Sequence, residues 1–192
     1  MLYTKISTDA MDEIQLNAGV ILSSFDLENP YTAPVSANIV ATTTGGVNPV
    51  CKPNYVDFGE DVDNVPLNMM EFKQNTGWTA TMGFSSIKFN ADNMVLALGA
   101  ADKELLQNGI TKVTPRRDVK LTDFKDIWWV GDKTNGGAIA IRLMNALSTE
   151  GLSIQSTKNG KGTNAITLTG HVSINAQDVV PMEIYDIPPQ TV

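Results

Sequence analysis

The sequence predicts a mainly β protein, a β-sandwich or flattened barrel carrying one flanking α-helix and one long loop. Three observations carry that prediction. Apolar residues recur at every second position in several stretches, the signature of strands with one buried face. Only one stretch, 90–99, keeps a helical period, and paired glycines and prolines cut the chain at short intervals.

In chain order, 14–24 alternates, with Ile14, Leu16, Ala18, Val20 and Leu22 on one side, and is read as a half-buried strand. Segment 26–34 holds Asn29-Pro30 and Pro34 and reads as a loop. The β-branched run 38–44 ends at Gly45-Gly46, a pair suited to a tight turn. From 47 to 76, Pro49, Pro53 and Pro66 interrupt every pattern, so this stretch is expected to be a structureless loop or arm. Loops of that length tend to be functional, and in an assembling protein the natural use is to reach a neighbour.

Segment 78–84 alternates again, with Trp78, Ala80, Met82 and Phe84 facing a core and Thr79, Thr81, Gly83 and Ser85 facing away. For 90–99, Asn90 or Asp92 can cap a helix, Ala91, Met94, Val95 and Leu98 form its stripe, and Gly99 can end it. A further helical turn is expected over 102–108 and an extended piece over 110–114. The run 124–130 includes Trp128-Trp129, bulky rings on both faces, so both faces should be covered. Gly136-Gly137 opens a strand over 138–147; 151–157 alternates weakly; 158–162 is a turn cluster. Finally 166–174 is read as one strand with Ile166, Leu168, Val172 and Ile174 inward and Thr167, Thr169, His171 and Ser173 outward. Residues 186–192 form a short tail, and residues 1–192 are read as a single domain.

Composition narrows the function. A net charge of -7 disfavours a nucleic-acid reader, because the surface on balance repels phosphate. The single cysteine, Cys51, excludes an intrachain disulfide. Residues 1–13 lack the apolar run of a signal peptide, and the apolar stretch 94–101 falls far short of the roughly 20 residues that cross a bilayer. One histidine, His171, has no other His or Cys near it in sequence, which leaves little for general-base or zinc chemistry. Gly160-Lys161-Gly162-Thr163 lacks the spacing of a phosphate loop and sits between two strands. No catalytic residue, metal site or cofactor is expected.

Two charged clusters remain. Asp57, Glu60, Asp61 and Asp63 do not have the spacing of an EF-hand calcium loop and are read either as a solvated loop or as an ion-pairing surface between subunits. Lys112, Arg116, Arg117 and Lys120 are read either as an exposed basic face or as the surface that meets the acidic arm of the next protomer. Such a head-to-tail contact needs complementary, non-identical surfaces on each copy.

Several stretches together carry a family resemblance: Gly45-Gly46-Val47-Asn48, the run Tyr55 to Pro66, Thr114-Pro115-Arg116-Arg117-Asp118, the run Asp123 to Asp132, Asn135-Gly136-Gly137, the run Leu143 to Ser148, Thr169-Gly170-His171, and the run Asp178 to Tyr185. In order and spacing they resemble the major tail tube proteins of long-tailed, non-contractile bacteriophages of Gram-positive hosts, from about Gly45 to Tyr185. The resemblance implies a structural virion protein without enzymatic activity, assembled in the host cytoplasm. It implies hexameric rings stacked into a tube, an inner wall formed as one β-barrel by strands of all six subunits, and a long loop packed on neighbours. The implied partners are further copies of the chain and the tape measure, tail terminator and distal tail proteins, with DNA passing through transiently. If strands line that channel, the small polar faces are the candidates: Thr79, Thr81 and Ser85, and Thr167, Thr169 and Ser173. The chain's acidic balance is expected to add repulsion that keeps phosphates off the wall. The rival readings are a non-catalytic carbohydrate-binding module, which would expose Trp128 and Trp129, another virion structural protein, and an enzyme.

Overall fold

The computed structural model describes residues 6–7 and 10–190. The remaining residues of the N-terminal stretch 1–13, and the last two residues of the tail 186–192, lie outside the described residues. The strands are β1 (Gln15–Leu22), β2 (Ile39–Ala41), β3 (Thr43–Asp57), β4 (Lys73–Ser86), β5 (Ala101–Leu105), β6 (Thr111–Pro115), β7 (Lys125–Lys133), β8 (Ala138–Ser148), β9 (Ser153–Gln155), β10 (Thr163–Thr169) and β11 (Met182–Ile187). One α-helix, α1 (Ala91–Leu98), lies between β4 and β5. The fold is mainly β, as the alternation predicts.

Nine strands form one continuous sheet in the order β2-β1-β7-β8-β10-β4-β3, with β11 added to β8 and β9 to β10; β5 and β6 pair separately. The sheet folds over on itself at β8. Its first part pairs with β7 and β11, whereas Leu147 and Ser148 pair with β10. The bend coincides with Asn145, whose φ of 46° is left-handed, and with a register shift between Lys125 and Ile127 on β7. The freed Asn145 N–H donates to Asp126 Oδ1 at 3.0 Å, and its side-chain amide donates to the His171 carbonyl. A bulge that turns a strand from one layer into another is the usual corner of a β-sandwich.

The main core lies between the layers. Ile21, Ile127, Trp129, Ile141, Leu143 and Met182 meet Ala80, Met82, Phe84, Ile166 and Leu168, with Ala97 of α1 packed at one side. A second cluster of Leu22, Trp128, Ala140 and Ile187 occupies the opposite face of the first layer, where Phe25 packs against it. The adjacent tryptophans thus point to different cores and both are buried, as their two-sided apolar flanks predict. Trp129 Nε1 donates to the Ala18 carbonyl at 2.9 Å. Gly19, at φ +68°, passes so close that a Cβ there would lie 2.5 Å from both the Trp129 ring nitrogen and the Val130 carbonyl oxygen.

Helix α1 begins and ends where the sequence places it. Asn90 Oδ1 accepts from the Asn93 N–H at 2.8 Å, and Gly99 ends the helix at φ 74°. Its buried face differs from the expected stripe: Asn93 and Ala97 are the buried residues, and Asn93 Nδ2 donates to Ser86 Oγ and to the Lys88 carbonyl. A buried asparagine is admissible because those bonds satisfy its amide.

Several expectations are corrected. The tail does not begin at 186, because Asp186 and Ile187 pair with Ile139 and Ala138 in β11. Ile14, Leu16 and Trp78, expected inside, are exposed, and a register shift between Leu16 and Val20 turns Ile21 into the core instead. Segment 47–76 is not structureless: β3 and β4 pair almost throughout, from Thr43↔Ser86 to Asp57↔Lys73, and only 58–72 is a loop. The long ribbon hides from periodicity because its far half meets solvent on both faces, so no alternation marks an inside. Segment 102–108 is not helical; it is β5 and its turn, paired with β6 from Ala101↔Pro115 to Leu105↔Thr111. The strand expected over 166–174 stops at Thr169, because Gly170 turns under Leu143 and Pro181, where a Cβ would approach within 2.8 and 2.9 Å. Val172 and Ile174, expected inside, are 54% and 82% exposed.

Candidate assembly surfaces

Three surfaces stand out: a polar sheet face, a projecting ribbon and a charged hairpin. The first belongs to the four strands β9, β10, β4 and β3. Along β4, Ala80, Met82, Phe84 and Ser86 are buried while the residues between them are not, and β10 alternates in the same way. The register sets Thr81 opposite Thr169, Gly83 opposite Thr167 and Ser85 opposite Ala165. On the other side of β4, Thr79, Thr81, Gly83 and Ser85 face Lys52, Val50, Asn48 and Thr44. Five of the six candidate channel-facing residues, Thr79, Thr81, Ser85, Thr167 and Thr169, are therefore brought onto one face. Ser173 is not; it lies beyond the end of β10, in a turn bridged to Ala176.

This face carries no carboxylate and a single cation. Ser153 and Gln155 extend it on β9, opposite Ala165 and Thr163, and Lys52 is the one charged residue among these outward positions. The net negative charge of the chain resides elsewhere, so the expected acidic repulsion has no source on this wall. What the face offers is a shortage of groups that hold phosphate: one cation, and otherwise hydroxyls, amides and small apolar side chains.

The second surface is the far half of the β3–β4 ribbon. β10 pairs with β4 only between Ser86 and Thr81, so the ladder beyond runs without a neighbour on that side. Its tip is closed by the Phe58 N–H, which donates to the Phe72 carbonyl at 3.1 Å, and by Asp57 Oδ1, which accepts from the Gly59 N–H at 3.0 Å. Leu67 and Met70 are 77% and 81% exposed, and Tyr55, Phe58 and Val62 are also exposed. The acidic cluster sits here: Asp57 ends β3, and Glu60, Asp61 and Asp63 lie exposed in the tip loop. Among the described residues no group of three or more His, Cys, Asp or Glu side chains is arranged to hold a metal ion.

The third surface is the β5–β6 hairpin and the turn after it. Of the four basic residues, Lys112, Arg117 and Lys120 are exposed, while the Arg116 side chain is only 10% exposed. Arg116 Nη2 donates to Asp123 Oδ1 at 2.6 Å and Nη1 donates to the Asp118 carbonyl at 2.9 Å. Its Nε lies 2.8 Å from Asp102 Oδ1 but off the hydrogen-bond direction, a contact of charges alone. Burial opposes the Arg116 charge, but the Asp123 hydrogen bond and the fields of Asp102, Asp123 and Asp118 outweigh it and raise its pKa. Burial likewise pushes the Asp123 carboxyl up, yet the Lys120 N–H and Arg116 hold it below the usual range. Arg116 is thus bound within its own chain. Only Asp118 lies close to it in sequence; Asp102 and Asp123 are brought beside it by the fold.

A second charged cluster was not legible. Arg142 lies 5.5 Å from the centre of the Trp128 ring, donates to Asp126 Oδ2 at 2.6 Å and to Glu183 Oε2 at 3.1 Å, and has its pKa raised chiefly by Asp126. The Tyr185 hydroxyl donates to the same Glu183 oxygen, which raises its pKa, and its ring stacks on Trp128. These residues close the outer face of the first layer over the second core. His171 is similarly structural: its ring meets Phe124 edge-on, and Nδ1 lies 3.2 Å from the Asn145 carbonyl. A cavity of about 680 Å³ between β1, β7 and residues 30–34 has Asp132 as the one carboxylate in its lining and no His, Cys or Lys. No helix of the described residues is long and apolar enough to cross a membrane.

No protein-family model and no curated protein matches this sequence. Among solved structures, the chain is similar to one in the virion of a native gene transfer agent particle, at 10% identity and a TM-score of 0.41, over 81% of this chain and 92% of that one. It is also similar to a chain in the tail of an empty gene transfer agent particle refined with helical, C6 symmetry, at 11% identity and a TM-score of 0.37, with the same coverage. At these TM-scores the fold assignment rests on the chain's own sheet order.

Proposed function

We propose that this chain is a non-catalytic structural subunit of a virion tail, which assembles with copies of itself into hexameric rings stacked as a tube through which DNA leaves the particle. The observation that carries the reading is the four-stranded layer β9-β10-β4-β3: one face is buried core, the other small, polar and nearly uncharged, and both edges are open. A subunit that lines a conduit needs such a face, and joining open edges between copies removes the exposed backbone that otherwise templates aggregation. Thr79, Thr81, Ser85, Thr167 and Thr169 would face the lumen, where Lys52 is the one cation of each copy that DNA meets as it slides past.

Stacking falls to the ribbon. Between Asp57 and Lys73 it carries five carboxylates, those of Asp57, Glu60, Asp61, Asp63 and Glu71, against the one cation Lys73. The exposed Lys112 and Arg117, together with Lys120, which also lies 3.6 Å from Asp102 of its own chain, are the matching surface on a neighbouring copy, with Leu67 and Met70 as the apolar part of the contact. Screening limits what such charges contribute, so the contact should weaken with salt. The further partners of this reading are a tape measure, a tail terminator and a distal tail protein, with assembly in the host cytoplasm. Burial of both Trp128 and Trp129 removes the two residues that were the candidates for the aromatic platform of a carbohydrate-binding module. Negative-stain microscopy of the concentrated protein tests the proposal: rings or tubes are expected, and a chain that stays monomeric at all concentrations and salts overturns it.

A further inference from the structure

The open edges of the four-stranded layer are not alike, and their hydrogen-bond phase can be counted. The Gly170 N–H donates to the Ala80 carbonyl at 2.9 Å. In an antiparallel ladder residues alternate between exchanging bonds with one neighbour and turning N–H and C=O to the other side. Ala80, Met82, Phe84 and Ser86 therefore bond to β10, and Thr79, Thr81, Gly83 and Ser85 bond to β3. On β3 the residues that turn away from β4 are then Val47, Pro49, Cys51 and Pro53. Prolines belong at such positions, since they have no N–H to give. The outer edge of β3 thus presents four carbonyls over this stretch but only two N–H groups, those of Val47 and Cys51.

The same count on the opposite edge has Thr163 and Ala165 bonding to Gln155 and Ser153, which leaves Ile154 as the β9 residue whose N–H and C=O face outward. Its side chain is 51% exposed. Because β9, β10, β4 and β3 are each antiparallel to the next, β9 and β3 run in opposite directions. Copies related by rotation about one axis keep one orientation, so β3 of one copy meets β9 of the next antiparallel. The other layer, β2-β1-β7-β8-β11, has an odd number of strands, and its edges β2 and β11 could meet only in parallel, the weaker pairing.

On the tail-tube reading, we infer that the joint between neighbouring copies is β9 docked antiparallel on β3, with Ile154 opposite Val47 or Cys51 and never opposite Pro49. Only Val47 and Cys51 return the hydrogen bond that Ile154 offers; opposite Pro49 its carbonyl would be left without a donor. The prolines thereby select the register and keep the long β3 edge from pairing indiscriminately with other strands.

The register predicts which side chains meet. With Ile154 opposite Cys51, Ser153 lies across from Lys52; opposite Val47, across from Asn48; opposite Pro49, across from Val50. These are non-hydrogen-bonded pairs, about 4.5 Å between Cα atoms and within reach of a disulfide, whereas a partner two residues off is about 7 to 8 Å away. In a Cys51→Ala background, Ser153→Cys is combined with Asn48→Cys, Val50→Cys or Lys52→Cys, and the concentrated protein is oxidised. Covalent multimers from the Asn48 or Lys52 combination, at least about ten-fold above the Val50 combination, are expected. Adding Pro49→Val and Pro53→Val should erase that preference. Strongest cross-linking from the Val50 combination overturns the proline selection. Tubes that form without cross-links from any of the three combinations overturn the joint and leave the tube reading standing. Failure of the unmodified chain to assemble at all overturns both.

Discussion

The near and far halves of the β3–β4 ribbon share one hydrogen-bonded ladder and differ in everything else. In the near half, β4 sends Ala80, Met82, Phe84 and Ser86 into the interior, and β10 binds its second edge. In the far half, Lys73 to Thr76 are exposed, as are Tyr55 and Val56 across the ladder, and the strands are held by the backbone ladder and by two side-chain bonds at Asn54, with Thr76 Oγ1 donating to its carbonyl and its amide donating to Thr79 Oγ1, rather than by a core. A two-stranded ribbon with no core is marginal in water. The contrast teaches where the chain's own interior stops stabilising it: the body has a core, the far ribbon has none, and in the proposed assembly that ribbon is the part for which another copy supplies a surface.

Substitutions in the two halves should therefore part company in stability and in assembly. The largest loss of stability is expected from Trp129→Ala, which empties the main core and removes the bond to Ala18, at about 4 kcal/mol by denaturant unfolding. Gly19→Ala should follow at about 2 kcal/mol or more in the same measurement, because φ is left-handed and the new Cβ strikes the Val130 carbonyl. Asp123→Asn should cost less and should act through pH. The Asp123 carboxyl is held below its unfolded value, so its contribution is present above about pH 4 and is lost as the pH falls through the folded value. Unfolding midpoints at neutral pH and near pH 3 should show a smaller acid loss for Asp123→Asn than for the unsubstituted chain. At the small end, Leu67→Ser with Met70→Ser should change stability by less than about 0.5 kcal/mol, since neither side chain is buried. The same pair should abolish tubes in the microscope; normal tubes from it would separate the tip from stacking.

Legibility from sequence follows the same division. Alternation was readable in Ala80 to Phe84 and Ile166 to Leu168, and the helix was readable from its caps Asn90 and Gly99, but in β1 a register shift between Leu16 and Val20 leaves Leu16 exposed and buries Ile21. It failed where both faces of a strand meet solvent. The far half of β3 and the charged β5 strand Ala101–Leu105 have no inside to mark, so one was read as a loop and the other as a helical turn. The extension of the last alternating strand to Ile174 failed for a different reason: the pattern of residues continues past Gly170, but the chain does not. The candidate channel face was legible for five of its six residues because strand alternation fixes which side chains share a face. Pairing of Arg116 within the chain was not, because the fold alone brings Asp102 of β5 beside Asp123, twenty-one positions further on.

Amide hydrogen exchange followed as a function of protein concentration tests most directly whether the body stands alone while the ribbon and the two open edges wait for another copy. Protection should rise with concentration at Ile154 and at Val47 or Cys51, in 54–57 and in 73–78, while α1, β7 and the free edge of β11 stay unchanged. Protection that does not depend on concentration anywhere, or that rises at Ile184 of β11 instead, would contradict this division of the molecule.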